Sequence, residues 1–409
     1  MATIAAASTS NVTRARVMLL GAAVFLNYVD RGAIAIAAPK MKDELGLSAT
    51  EFGTAVSAFF WIYAPVQFFV GWLCDRFSVY RMLALGVAIW AASTLLMGFV
   101  GGFLSLLVLR IMLGVGESII FPGSSKVIAR HIPPEQRGMA NAWCAVGLSL
   151  GPAAGTLAGG LILASYGWRA IFIAFGLLTL LWLLPWRSTV KALPPVDEAN
   201  DTATVSVGKL IRLWSMWATG IGHATTNFGF YFLLAFTPLY LVQQRGLSIA
   251  EMTLLTTLGY AAQGAASLAV GAWSDHWTRS GRSEASVRRA MLCAGQLVAS
   301  IAMLAIPMAS SSFSIGALLI ITGMATACFP TNLYAVGQMF AGPRVAGTWV
   351  GIQNGLGNIP SGIVGPILFG IVIDRYGYDS AFMLAAGVSA FGAIWWTFGV
   401  PRIGQVKLD

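Results

Sequence analysis

Charge is what this chain has least of. Lys, Arg, Asp and Glu make up 10% of its 409 residues, against about 25% in a soluble domain, so it cannot clothe a water-facing surface. It has 3 histidines and 4 cysteines. Cys74, Cys144, Cys293 and Cys328 show no disulfide or metal spacing and read as packing residues. No nucleophile–base pair, metal cluster, phosphate-binding loop or ATP-coupling motif stands out. An enzyme is therefore excluded, and no cofactor is expected.

What fills the sequence is apolar: 57% hydrophobic residues and a mean hydropathy of +0.75. Apolar runs of about 20 residues, the length that crosses a bilayer, follow one another. We read twelve of them, the first near 17–39 and the last near 379–400. The expected fold is an all-α membrane protein. MATIAAASTSNVTRAR reads as a short polar tail, not a cleavable signal peptide. With twelve spans, 18 basic residues fall on the side of the termini and 5 on the other. The positive-inside bias then puts both termini in the cytoplasm. It also accounts for the net charge of +9, so the partner implied is the lipid bilayer and no nucleic acid need be invoked. Lys126, Arg130 and Arg137 read as orientation charges.

The chain repeats itself. Gly71-Trp72-Leu73-Cys74-Asp75-Arg76 returns 200 residues later as Gly271-Ala272-Trp273-Ser274-Asp275-His276. Phe121-Pro122 returns as Phe329-Pro330, and Tyr166-Gly167 as Tyr376-Gly377. Two pseudo-symmetric six-helix halves are expected, over 1–187 and 212–409, with a cytoplasmic linker at 188–211. Carriers built from internal repeats hold their ligand near the bilayer midplane.

Four charges interrupt apolar helices and sum to zero: Asp30, Arg31, Arg110 and Glu117. Each costs roughly 2.5 to 3.5 kcal/mol to insert and persists only with a partner or a task. Arg110 and Glu117 are seven residues apart, so they return to within about 20° of one helix face. Gly114 lies on nearly the same face and leaves it open to close approach. Asp30 and Arg31 point about 100° apart, so one faces a cavity and the other a packing surface. A guanidinium stays charged and matches a carboxylate fork, which makes Arg31 and Arg110 the residues for binding an organic anion. Asp30 and Glu117 can load and release protons as their surroundings change. A structural ion network is the competing reading.

Gly71-x-Leu73-x-Asp75-Arg76 followed by Arg81 resembles the loop 2–3 signature of the major facilitator superfamily, although Ser78 replaces its second glycine. Gly147-x-x-x-Gly151-Pro152-x-x-Gly155 resembles its helix 5 signature. Asn27-Tyr28-x-Asp30-Arg31 and Arg110-x-x-x-Gly114-x-Gly116-Glu117-Ser118 together resemble the anion:cation symporter branch. That branch includes bacterial galactonate and hexuronate importers and animal vesicular glutamate and sialic-acid carriers. The resemblance covers nearly the whole chain. It implies alternating access, with Asp75, Arg76 and Arg81 gating the cytoplasmic side. It implies proton carriage by Asp30 and Glu117, and substrate contacts from Tyr28 and Tyr63 and from Thr331, Asn332 and Asn354. Tyr334 joins that polar set after Phe329-Pro330, and Gln353, Asn358, His223, Asn227 and Tyr231 stand nearby as alternatives with packing roles.

One departure concerns the substrate. The sugar-acid importers carry a glutamine in helix 5 where this chain has Leu148, which weakens the case for a polyhydroxylated six-carbon acid and raises that for a shorter or more apolar one. An aromatic carboxylate could stack on Trp143, Tyr28 or Tyr63. The expected function is proton-driven uptake of an organic carboxylate, a sugar acid first, in a bacterial inner membrane by a monomer. An organic-anion exchanger, an exporter of the same fold and a membrane receptor that does not transport are the other readings.

Overall fold

The computed structural model describes residues 2–47, 49–191 and 206–407. Most of the expected linker, residues 192–205, lies outside the described residues. The described chain is almost wholly helical. In order the helices are α1 (Ala2–Glu44), α2 (Ala49–Arg76), α3 (Val79–Met97), α4 (Phe103–Glu117), α5 (Ile120–His131), α6 (Pro134–Leu181) and α7 (Leu183–Lys191). Then come α8 (Val207–Ile211), α9 (Trp214–Leu239), α10 (Ile249–Arg279), α11 (Glu284–Ala305), α12 (Ser312–Thr326), α13 (Cys328–Asn358) and α14 (Gly365–Ile394). The segment read from sequence as a polar tail continues α1 back to Ala2. Several stretches of the described residues are long and apolar enough to cross a membrane. Pro134–Thr189 and Ser312–Ile373, at 56 and 62 residues, have length for more than one crossing at about 20 residues each.

The repeat seen in the sequence has a backbone counterpart. α6 bends at Gly167 (φ 80°, ψ 172°) and α14 at Gly377 (φ 81°, ψ 172°). Both lie in a region of φ/ψ space that is essentially closed to residues with a Cβ. The two Tyr-Gly pairs thus make the same turn.

Two compact units result. The first comprises Met1–Ile132, Val146–Val207 and Pro343–Gly351; the second comprises Pro133–Ala145, Gly208–Gly342 and Ile352–Asp409. Each unit therefore includes a short segment from the other part of the sequence.

In the first unit α4 packs against α2 and α3. A Cβ on Gly114 would come within 2.7 Å of the Phe59 carbonyl oxygen, so only glycine lets α2 and α4 approach there. The Gly147, Gly151 and Gly155 stripe of α6 does the same against α1. Added Cβ atoms would sit 2.6 Å from the Gly21 carbonyl oxygen and 2.5 Å from Tyr28 Cβ, and one on Gly155 would strike the Val29 carbonyl oxygen. Small-residue stripes of this kind are how helices associate in lipid, where packing replaces the hydrophobic effect. In the second unit α10 packs on α12, and α14 packs on α9 and α11.

Candidate functional site

The buried residues of α4 include Leu106, Arg110, Leu113, Gly114 and Glu117, a spacing of three, four and seven that makes one face. α1 brings Arg31 to the same cluster. Arg31 donates from Nε to Glu117 Oε2 at 3.1 Å, and its Nη2 lies 3.1 Å from the same oxygen. The Glu117 side chain is fully buried and that of Arg31 is 17% exposed. Three rings surround the Arg31 guanidinium, with Cζ to centroid distances of 4.7 Å for Tyr28, 5.0 Å for Phe59 and 5.0 Å for Tyr63. Arg110 is buried, with Cζ 5.1 Å from the Phe59 centroid. Tyr28, Arg31, Tyr63, Arg110 and Glu117 are thus brought together.

Asp30 turns the other way. Trp90 Nε1 and the Thr94 hydroxyl, at 3.0 Å, both donate to its Oδ2 from α3. Oδ1 is buried with no hydrogen-bond partner among the described residues. Trp90, Thr94 and Phe59 were all missed from sequence; only Thr94, a hydroxyl in an apolar span, carried any signal.

Of the residues expected at a gate, Asp75 sits in a separate cluster. Asp75 Oδ1 lies 3.0 Å from Lys126 Nζ and accepts from Gly347 N at 3.2 Å. Its Oδ2 accepts from Thr348 N at 2.6 Å and from the Thr348 hydroxyl at 2.5 Å. Lys126 also donates to the Arg344 carbonyl at 2.7 Å. Beyond the orientation charge read from sequence, Lys126 is a buried partner of Asp75. A lysine 2% exposed is held by its carboxylate, because an unpaired buried ammonium would be too costly. Arg76 and Arg81 are exposed, and Arg76 lies over the Trp72 ring at 5.1 Å. The repeat of this motif in the second unit makes a matching cage. Asp275 accepts from Gly138 N at 2.9 Å and Met139 N at 2.8 Å, and lies 3.4 Å from Arg288. Two copies of one motif therefore secure the two exchanged segments.

The remaining expected contacts belong to the second unit. The Thr331 hydroxyl donates to Ala327 O at 3.1 Å. Asn332 donates to Cys328 O at 2.9 Å and accepts from Arg288 at 3.4 Å, so its carboxamide is engaged with the Arg288 cluster. Tyr334 is buried and meets His223 edge-on, centroids 5.8 Å apart. Asn358 donates to Asn354 Oδ1 and to its carbonyl, both at 2.8 Å, and accepts from Tyr231 at 2.7 Å and Asn227 at 3.1 Å. The backbone carbonyl fixes which end of Asn358 is nitrogen. Asn354 must then offer oxygen to Asn358, leaving its own NH2, buried and unpartnered among the described residues, as a donor. A π-helical turn, Ile359–Val364, follows directly, as such turns often do at working sites.

Comparison with known proteins agrees on family. The Major Facilitator Superfamily model matches residues 20–363 and 219–407. A probable sulfoacetate transporter of Cupriavidus necator is 30% identical, covering 93% of each chain. The hexuronate transporter of Bacillus subtilis is 27% identical, covering 92% of each. A probable galactarate/D-glucarate transporter of Bacillus subtilis is 30% identical over 92% of this chain and 89% of its own. Among solved structures, the human organic anion transporter MFSD10 superimposes with a TM-score of 0.72 over 94% of this chain and 99% of its own, at 15% identity.

Proposed function

The chain belongs to the major facilitator superfamily, and from that premise we propose that it is a proton-coupled symporter for a small organic carboxylate. Membership makes it a multi-pass membrane transporter and not an enzyme. On this reading it works by alternating access in a bacterial inner membrane, with both termini cytoplasmic, and the proton gradient drives uptake.

The observation that carries the reading is the shared use of Arg31. Glu117 occupies its guanidinium from two nitrogens, and a substrate carboxylate needs the same fork. Arrival of the anion displaces Glu117 from Arg31, and a displaced carboxylate in an apolar, buried place favours its protonated form. Proton and substrate therefore load together. Arg110, whose charge is permanent, supplies the second cation on the face of α4. Asp30, with one oxygen satisfied and the other bare, is the second proton site. Asp75, Lys126 and Thr348 form the latch that must open on the cytoplasmic side, with Arg76 and Arg81 beside it.

Sugar acids are the leading substrates, since the similar proteins include transporters named for hexuronate and for galactarate and D-glucarate. Asn354 and Tyr334 are the groups for neutral oxygens of such a ligand. A shorter acid is the second reading. Leu148 offers no hydrogen bond at the helix 5 position, and another similar protein is named for sulfoacetate. A thermal-shift panel of carboxylates on the purified protein separates the two, because bound ligand raises apparent stability with its affinity. Stabilisation by hexuronates and not by two-carbon acids supports the first. Stabilisation by no carboxylate would sink both.

A further inference from the structure

Phe59 is 2% exposed, so its ring is not offered to a ligand. It is offered to two cations. Arg31 Cζ lies 5.0 Å from its centroid and Arg110 Cζ lies 5.1 Å from it, which puts the two Cζ atoms within about 10 Å of each other. Both distances are inside the range in which a ring face attracts a guanidinium, about 6 Å. Tyr63 stacks on the same ring at 5.0 Å and 23°, and Phe60 meets it edge-on at 4.9 Å. The backbone beneath is pinned, because the Phe59 carbonyl sits against the α4 surface that Gly114 leaves bare. Like charges at this separation repel; the Glu117 carboxylate paired with Arg31 offsets part of that repulsion, and in a place with little water solvent screens little of the rest. A single ring attracting both opposes that repulsion.

We propose that Phe59 is a positioning residue for the anion site: its ring, shared by Arg31 and Arg110, fixes their spacing and so sets the affinity for a carboxylate that it does not touch. The assignment rests on the symporter reading, since it concerns the two arginines placed there as anion ligands. The local sequence gives Phe59 no distinction, because it is one of two adjacent phenylalanines in an apolar span. A pair of cations pinned to one ring favours one distance between anionic oxygens. A pair released from it adapts to several.

The test varies the ring's electrons and leaves its shape. Full-length protein is prepared with 4-fluoro-, 3,5-difluoro- and 3,4,5-trifluorophenylalanine at position 59, and with Phe59→Tyr and Phe59→Leu. Kd is measured for D-glucuronate, D-glucarate and sulfoacetate, with thermal unfolding alongside. Fluorine withdraws charge from the ring face, so Kd for the ligand bound best by wild type should rise stepwise, by roughly tenfold at three fluorines, while melting hardly moves. Phe59→Tyr should stay near wild type. Phe59→Leu should weaken binding similarly and narrow the preference among the three acids. A flat or falling Kd across the fluorinated series overturns the proposal, even if Phe59→Leu binds poorly, because that pattern means packing alone. If Phe59→Leu fails to fold, the fluorinated series still decides. Wild-type protein that binds none of the three acids sinks the sugar-acid and short-acid readings, and the role of Phe59 that rests on them.

Discussion

Arg31 meets Glu117 through two nitrogens and one oxygen: Nε and Nη2 both lie 3.1 Å from Oε2. Two residues 86 positions apart thus form a pair that leaves Oε1 outside the contact. Such a pair is easier to exchange than a bidentate one, in which each nitrogen has its own oxygen. A partner that can be displaced is what coupling needs, and the first prediction follows from that displacement.

Glu117→Gln copies the protonated acid. It should still bind the carboxylate, more tightly than wild type, because the competitor for Arg31 is gone. Counterflow of labelled against unlabelled substrate in proteoliposomes should continue, since a neutral site cycles while loaded. Uphill uptake driven by an inward proton gradient should collapse. Wild-type accumulation by this variant would remove Glu117 from the coupling path.

Arg31→Ala and Arg110→Ala should each abolish detectable substrate binding. Each deletes charge-assisted hydrogen bonds worth roughly 1.5 to 3 kcal/mol, and Arg31→Ala also strips Glu117 of its partner. Lysine should rescue poorly at either position, since an ammonium is a point charge with no planar fork. Isothermal titration with a carboxylate that stabilises wild type checks this. Normal affinity in either alanine variant would take that arginine out of the site.

Asp30→Asn keeps an oxygen for Trp90 and Thr94 and keeps the shape, so the fold should survive. If the bare Oδ1 is where a proton sits, this variant should exchange substrate but not concentrate it. Asp30→Leu, which leaves both donors buried and unpaired, should cost about 1 to 3 kcal/mol per donor in stability. Uptake by Asp30→Asn with an undiminished response to the proton gradient would make Asp30 a packing residue only.

Asp75 and Lys126 are both buried, with side chains 5% and 2% exposed. Asp75→Asn leaves the ammonium without a counter-charge, and breaking a buried pair costs about 3 to 5 kcal/mol. We expect a lower melting temperature and faster labelling of cysteines placed at the Arg76 end of α2. Adding Lys126→Met should restore much of the stability without restoring slow labelling. Unchanged labelling in Asp75→Asn would end the latch assignment.

The fold class was legible because it depends on quantities summed along the chain. Scarce charge and long apolar runs leave helices in lipid as the main solution, since every backbone group must then be satisfied within its own segment. The internal repeat was legible as well, and its Tyr-Gly pairs fall where the backbone makes matching turns. The grouping of Arg110 and Glu117 was legible too, because helical periodicity alone puts residues seven apart on one face.

Partnership was not legible, because it is settled by neighbours distant in sequence. Nothing near Asp30 says that Trp90 will take one of its oxygens, and nothing near Lys126 says that Asp75 and the Arg344 carbonyl will hold it. Asn332 reads as a free polar residue until Arg288, 44 positions earlier, is seen beside it. Phe59 becomes distinct only when α1 and α4 each bring an arginine to its ring. The sequence by itself determined that the chain folds into apolar helices and which charges they must shelter. Packing at particular points, such as the bare surface of Gly114 against α2, decided which of those charges meet.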